Sequence, residues 1–257
     1  MSDDSDSESP VIKFDGDDPF MQEAYKRARD SFRYFWRELS WEQRRIVPAL
    51  DMACVKAPFS DGDQTDPDSE DPDVEHMWMT DIEFDGEMVR GTLINSPNWL
   101  KTVEEGDEAE FPISEISDWL YAIDGRAYGG FTVHVLRYGM EPEERAAYDE
   151  AWGIDFGEAG CTRVVPFEES EDGEHPMSVN MAAGLREAVA GDPEYLIGRD
   201  ERGWTMLHEQ ALAGNAAIVK VLLDAGADPT ATTNDGKTPL QLAQSLGWKG
   251  VAKLLKK

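Results

Sequence analysis

Residues 203–247 read G-W-T-M-L-H-E-Q-A-L-A-G-N-A-A-I-V-K-V-L-L-D-A-G-A-D-P-T-A-T-T-N-D-G-K-T-P-L-Q-L-A-Q-S-L-G. Gly203 returns as Gly236, Thr205 as Thr238, Leu207 as Leu240 and Gly214 as Gly247, each after 33 residues. A fixed period of that length marks a stack of helical units. Thr205 and Thr238 stand where a side-chain oxygen caps a short helix. Leu207 and Leu240 are placed for the seam between units. Ile218, Val219, Leu222 and Leu223 recur at helical spacing and form the stripe of a second helix. Gly226 ends that helix by taking a left-handed conformation. One such unit cannot bury its own face, so units stack and present an extended concave surface.

The spacing, the T-P-L of Thr238 to Leu240 and the G-A-D of 226–228 together resemble the ankyrin repeat. The resemblance implies a surface that binds other proteins and carries no chemistry. Leu185 to Ala190, Gly191-Asp192 and Tyr195-Leu196-Ile197 read as a shortened first unit, so an all-α array of two to three repeats is expected over 179–257. By the ankyrin pattern, Glu201, Arg202, Trp204, Asn234, Asp235 and Lys237 fall on turn tips. Leu212, Ala213, Ser245 and Leu246 fall on the inner helices. These ten are the expected partner contacts, with Trp204 the best anchor; packing of Trp204 on the neighbouring domain is the alternative. His208 sits where ankyrin repeats place a histidine bonded to loop backbone. Glu209 stands where the next unit has Leu242. A buried, unpaired charge there would be costly, so Glu209 is expected to meet an arginine from the first unit or the first domain.

Ahead of the array, residues 1–17 are Asp- and Ser-rich and read as disordered. Asp18 caps a helix with Pro19 at its first position. Met21, Ala24, Ala28, Phe32 and Phe35 return at helical spacing. Lys26, Arg27, Arg29, Arg33 and Arg37 form a basic patch on the other side, expected to be held by acidic loops of the same chain. Ser40 and Gln43 predict a capping box for a second short helix. Strand patterns follow at Leu50 to Phe59, Val74 to Phe84 and Glu87 to Asn95, with a short strand ending at Phe111. Trp119 to Ile123 and Phe131 to Arg137 read as a further hairpin around Asp124-Gly125. The acidic stretch 61–73 reads as a loop. The expectation is an α+β domain over 18–140, an antiparallel sheet with a packed N-terminal helix. An acidic, partly docked linker follows over 141–178.

V-K-A-P-F at 55–59, E-H-M-W at 75–78, G-T-L-I-N-S-P at 91–97, I-S-D-W at 116–119 and G-G-F-T-V at 129–133 resemble the bacterial YegJ-like domain of unknown function. So do Ala28-Arg29 and Phe35-Trp36 on the helix and Gly106-Asp107. The resemblance spans about residues 14–140 and implies a fold but no reaction. Such a domain joined to ankyrin repeats resembles the immunity proteins that bacteria encode beside secreted toxins.

The chain holds 53 acidic and 24 basic residues, a net charge of −29. Residues 181–257 carry 9 of each, so the whole imbalance lies in the first 180 residues, with 44 acids and 15 bases. Such a chain repels nucleic acid and anionic membranes and attracts basic partners at long range. Solvated loops, or a source rich in salt, are the competing readings of the acidity. No apolar run approaches the ~20 residues of a membrane span, and the start lacks a signal-peptide pattern. A cytoplasmic protein is expected.

The four histidines, His76, His134, His175 and His208, show no metal-binding spacing, and Cys54 and Cys161 make neither a disulfide framework nor a metal site. No catalytic residue, metal or cofactor is assigned. Gly129-Gly130 reads as a bulge or turn. The leading reading is a module that binds and neutralises a basic protein, a cognate toxin such as a nuclease, by occlusion. The runner-up is an enzyme whose His76, with Asp118, Trp119 and Tyr128, lines a pocket on one sheet face. A general ankyrin scaffold is the third.

Overall fold

The computed structural model describes residues 18–62, 74–167, 174–192 and 194–256. The N-terminal 17 residues, nearly all of the acidic stretch 61–73 and most of the acid run 168–174 lie outside the described residues.

The chain opens with α1 (Pro19–Glu42), whose first amides are taken by the Asp18 carboxylate at 2.7 Å from Phe20 N and 3.4 Å from Met21 N. α1 runs straight through Ser40, so the expected second helix does not form. Ser40 is buried and donates to Arg37 O inside the helix, and Gln43 is the C-cap. The buried stripe continues through Phe35, Trp36 and Trp41, and that stripe keeps the helix going past the local capping signal.

Six strands follow: β1 (Met52–Phe59), β2 (Glu75–Phe84), β3 (Met88–Leu93), β4 (Glu108–Pro112), β5 (Asp118–Ile123) and β6 (Arg126–Gly129). They pair antiparallel in the order β4-β3-β2-β1-β5-β6. α1 covers one face, with Phe35 against Trp119 and Tyr121 and the Trp119 indole N–H on Ala28 O at 2.9 Å.

The segment expected to complete a hairpin with β5 divides differently. β6 stops at Gly129, and Phe131–Gly139 is a helix, α2. Gly129 and Gly130 both have positive φ. A Cβ on Gly129 would lie 2.2 Å from Trp119 O, so only glycine fits. The buried Asp118 carboxylate then caps α2 from outside, accepting from Phe131 N, Thr132 N and Thr132 Oγ1 at 3.0, 2.7 and 2.7 Å. Phe131, Val133 and Val135 alternate like a strand, but a distant cap and two glycines outweigh that local pattern.

α3 (Pro142–Trp152) and the following loop cover the second sheet face. Phe156 is buried there, and Trp152 meets the Trp78 ring at 6.0 Å. Arg137 fastens this layer with a bidentate pair to Asp149 at 2.6 and 2.7 Å.

The repeat array comprises α4 (Pro176–Gly191), α5 (Glu194–Ile197), α6 (Met206–Leu212), α7 (Ala216–Asp224), α8 (Pro239–Ser245) and α9 (Lys249–Leu255). α6–α7 and α8–α9 are complete units. α4 packs along α7, as the second helix of a repeat would. Among the described residues no helix pairs ahead of α4 as α6 precedes α7.

The two parts are not separate bodies. One cluster of buried apolar side chains runs from Phe32, Trp41 and Phe84 into Leu212, Leu242 and Trp248. The tip of the β2–β3 hairpin rests on the repeats. A Cβ on Gly86 (φ +96°) would lie 2.7 Å from Leu242 Cδ2. Gly86→Val should therefore cost about 2–4 kcal/mol, combining backbone strain with overpacking. Urea denaturation followed by tryptophan fluorescence measures it; an unchanged midpoint would mean that the hairpin tip does not rest on the repeats.

Candidate protein-binding surface of the repeat array

Each complete unit is built as its sequence dictates. Thr238 caps α8 in a reciprocal box: Gln241 N donates to Thr238 Oγ1 at 3.3 Å, and Thr238 N donates to Gln241 Oε1 at 2.8 Å. His208 fills the equivalent place in α6. Its Nδ1 accepts from Thr205 N at 3.1 Å, and its Nε2 lies 3.0 Å from Ala231 O in the next loop. The ring thereby ties one unit to the next.

The turn tips are joined as well. Asn234 N donates to Arg202 O at 3.0 Å, Asn234 Nδ2 to Glu201 O at 2.9 Å, and Arg199 Nη1 to Thr232 O at 2.7 Å.

The ten expected contact residues fall into two groups. Glu201, Arg202, Asn234 and Asp235 are exposed on the tips, and Ser245 is exposed on α8. Trp204, Leu212, Ala213 and Leu246 are buried at 5%, 0%, 0% and 7% exposure. Lys237 is half-buried and pairs with Asp85 at 3.3 Å and Glu87 at 3.7 Å on the hairpin tip. Trp204 thus packs inside, with the Arg202 guanidinium 4.8 Å from its ring centre.

What covers the inner face is the first domain. Trp41 donates its indole N–H to Asn215 Oδ1 at 3.2 Å, and Asn215 Nδ2 donates to Gln210 Oε1 at 2.8 Å. Trp248 is enclosed by Tyr34, Arg33 and Arg37 of α1, with the two guanidinium carbons 5.4 and 5.2 Å from its ring. His175, which caps α4, lies 3.1 Å from the buried Glu38. Burial pushes the Glu38 carboxyl up, but His175 and Arg45 outweigh it and hold the group below its ordinary range. Glu209 meets Arg44 at 2.9 Å, so its partner is an arginine of the first domain.

Among the described residues the basic patch on α1 meets π faces, a carbonyl and one carboxylate. Arg27 lies over Phe131, Arg33 and Arg37 over Tyr34 and Trp248, and Arg29 donates to Ile116 O at 3.3 Å. Lys26 pairs with Asp30 on its own helix. The contacts with Phe131 and Trp248 leave little trace in the sequence, because those rings are far away along it.

The residues grouped around His76 do not share one pocket wall. Trp119 and Tyr128 lie on the α1 face, where each stacks on Tyr121, whereas Asp118 alternates to the other face and caps α2. His76 Nδ1 is 2.6 Å from Ser117 Oγ, and its ring stacks on Tyr25 at 5.1 Å. Burial, aided by Lys56, depresses the His76 pKa to about 4; burial and Arg137 do the same for His134. Among the described residues no three His, Cys, Asp or Glu side chains converge to hold a metal ion, and no helix is long and apolar enough to cross a membrane.

Comparison with known proteins agrees with this division. The family described as "Uncharacterized protein conserved in bacteria (DUF2314)" matches residues 18–156, and ankyrin repeats match residues 189–243. An ankyrin repeat protein of Neisseria meningitidis serogroup B is 46% identical over 244 residues, 93% of each chain. The uncharacterized protein YegJ of Escherichia coli K12 is 31% identical over 124 residues, covering 48% of this chain and 71% of that one. The ankyrin repeat protein YahD of Escherichia coli K12 is 43% identical over 58 residues, covering 21% of this chain and 29% of its own. The chain belongs to the DUF2314 family and carries C-terminal ankyrin repeats, a protein-binding scaffold.

His76 and His134 yield a pH prediction. Their folded pKa values, about 4, lie below the ordinary 6.5. Between those values the unfolded chain takes up protons that the folded chain refuses. Each ring therefore contributes stability that is fully present above pH 6.5 and is lost as pH falls towards 4, at up to about 1 kcal/mol per pH unit. His76→Gln should flatten the loss between about pH 7 and about pH 5 in urea titrations. Parallel curves for parent and variant would show that His76 titrates normally.

Proposed function

We propose that the chain is an immunity protein that binds a basic cognate toxin in the cytoplasm and neutralises it by occlusion. The observation that carries this reading is the placement of charge. The entire negative excess lies in the first 180 residues, and the described sheet domain among them is packed against a near-neutral repeat array whose tips stay exposed. A basic protein approaching the tips meets Glu201 and Asp235 there, with the acidic first domain alongside. A toxin that acts on nucleic acid needs a basic surface for its substrate, and an acidic protein competes for that surface.

Leu212 lies beside the hairpin tip at Gly86, and Ala213 and Leu246 are buried, so the partner is expected on the outer rim. Glu201, Arg202, Asn234 and Asp235 are the contacts proposed there, with Ser245 at the edge of the inner face.

Co-expression with the product of the neighbouring gene tests the reading. The expected result is a complex that survives gel filtration at low salt, weakens at about 0.5 M salt because exposed charges are screened, and protects the host. Glu201→Lys with Asp235→Lys should slow association by about tenfold or more. No complex and no protection would remove the proposal.

A further inference from the structure

The last repeat carries a groove of about 430 Å³ along α9. It is lined by Gly247, Trp248 and Ala252 and by three lysines, Lys249, Lys253 and Lys256. The lysines follow one another at i, i+4 and i+7, on one side of the helix. They rise along it in steps of about 6 Å and about 4.5 Å. All three are exposed, and among the described residues none meets a carboxylate. Lys26, Lys220 and Lys237 by contrast each hold one, at 2.8, 2.6 and 3.3 Å. In a chain of 53 acids and 24 bases, three unmatched cations beside an apolar groove attract an acidic segment.

α1 leads from the N-terminal residues to this groove. The Arg33 guanidinium lies 5.4 Å from the Trp248 ring centre, and its Nη1 is 3.8 Å from where a Cβ on Gly247 would stand. About 22 Å of helix separates Arg33 from the Asp18 cap. Ahead of Asp18, residues 1–17 hold six acids and one base, and Asp4, Asp6 and Glu8 stand at alternate positions. An extended chain sets alternate side chains on one side about 6.6 Å apart, close to the steps between the lysines. The stretch from Asp18 back to Glu8 spans up to about 33 Å. That covers α1 as far as Arg33 and leaves about 10 Å to reach the lysines.

We propose that residues 4–8 of the same chain occupy this groove, with Glu8 on Lys249, Asp6 on Lys253 and Asp4 on Lys256. That order follows from the direction of approach, since Glu8 arrives first, beside Arg33 and Trp248. A second copy is the poorer source of the carboxylates, because two chains of net charge −29 repel one another. An outside acidic ligand meets the same repulsion, and it competes with a tethered segment whose effective concentration is on the order of 1 mM. The segment thus closes a basic groove to acidic ligands. The inference does not depend on which partner the turn tips bind.

The test couples carboxylates to lysine amines in the full chain with a water-soluble carbodiimide at low salt and reads the joined peptides by mass spectrometry. Asp4, Asp6 and Glu8 should couple to Lys249, Lys253 and Lys256 in preference to Lys101 and Lys220, which are also exposed. The couplings should fade at about 0.5 M salt. In a mixture of isotope-labelled and unlabelled chains, they should join residues of one copy. Couplings spread evenly over the lysines, no couplings from residues 4–8, or couplings between copies would overturn the proposal.

A fluorescent, C-amidated peptide with the sequence of residues 3–8 gives an independent readout. Its affinity for the full chain should rise by up to about tenfold when Asp4→Asn, Asp6→Asn and Glu8→Gln together empty the groove. It should be lost with Lys249→Gln, Lys253→Gln and Lys256→Gln, all exposed changes that leave the packing of the repeat in place. Equal affinity for the parent and for the chain neutralised at positions 4, 6 and 8 would show that the groove is not filled from within.

Discussion

The structure depends on the seal between the hairpin tip at Gly86 and the inner helices of the repeats. A short ankyrin array has a physical problem: each unit buries one side against its neighbour and leaves the inner side open. Here that side carries Leu212, Leu242 and Leu246, and among the described residues no first helix stands ahead of α4 to extend the stack. α1 and the β2–β3 hairpin supply the missing cover. The bulge in β2 belongs to this solution. The register shifts between Thr80 and Glu83, with Asp81 at positive φ, and the strand bends just before its tip. Gly91 opposite must be glycine, since a Cβ there would sit 2.7 Å from Ile82 Cδ1.

Polar contacts set the register of that seal. Trp41 on Asn215, Glu38 on His175, Arg44 on Glu209 and Lys237 on Asp85 join the two parts at separate points. They differ in worth. The Arg44–Glu209 pair is about a third exposed on each side, where ion pairs contribute little. Trp41–Asn215 and Glu38–His175 are buried, and losing one partner would strand the other without water. The arginines around Trp248 act through their flat faces as much as their charge, which lysine could not reproduce.

The sequence revealed what repeats and what caps. The 33-residue period gave both complete units, the Thr238 cap and the need for an arginine at Glu209, because each is a local rule or a like-for-like comparison between units, while the His208 tie followed from the resemblance to ankyrin repeats. It misled where a distant residue overrides a local signal. Ser40 and Gln43 look like a helix start, but Trp41 has an acceptor at Asn215, far along the chain, and the helix runs on to reach it. Phe131 to Arg137 alternates like a strand, but Asp118 turns it into a helix. The turn-tip tryptophan, Trp204, offered two readings, and only the packing of the junction shows that it lies inside. The sealing of the inner face left only faint marks in the sequence, the charge of Glu209 and the alternative reading of Trp204, since it joins two surfaces that are each ordinary for their own family.

That seal bears on how such a protein can recognise anything. An isolated ankyrin array offers its inner face to visitors, but here a visitor seeking that face must displace tryptophans, arginines and a hairpin already bonded to it. The displaced surface includes Trp248 and Leu212, both buried, so its exposure to water would oppose opening. Recognition without opening must use what stays outside: the exposed tips and the acidic sheet domain beside them. The fusion of the two modules therefore does more than place two binding surfaces on one chain. By closing the inner face, it creates a rim to which both modules contribute, and neither module has that rim alone.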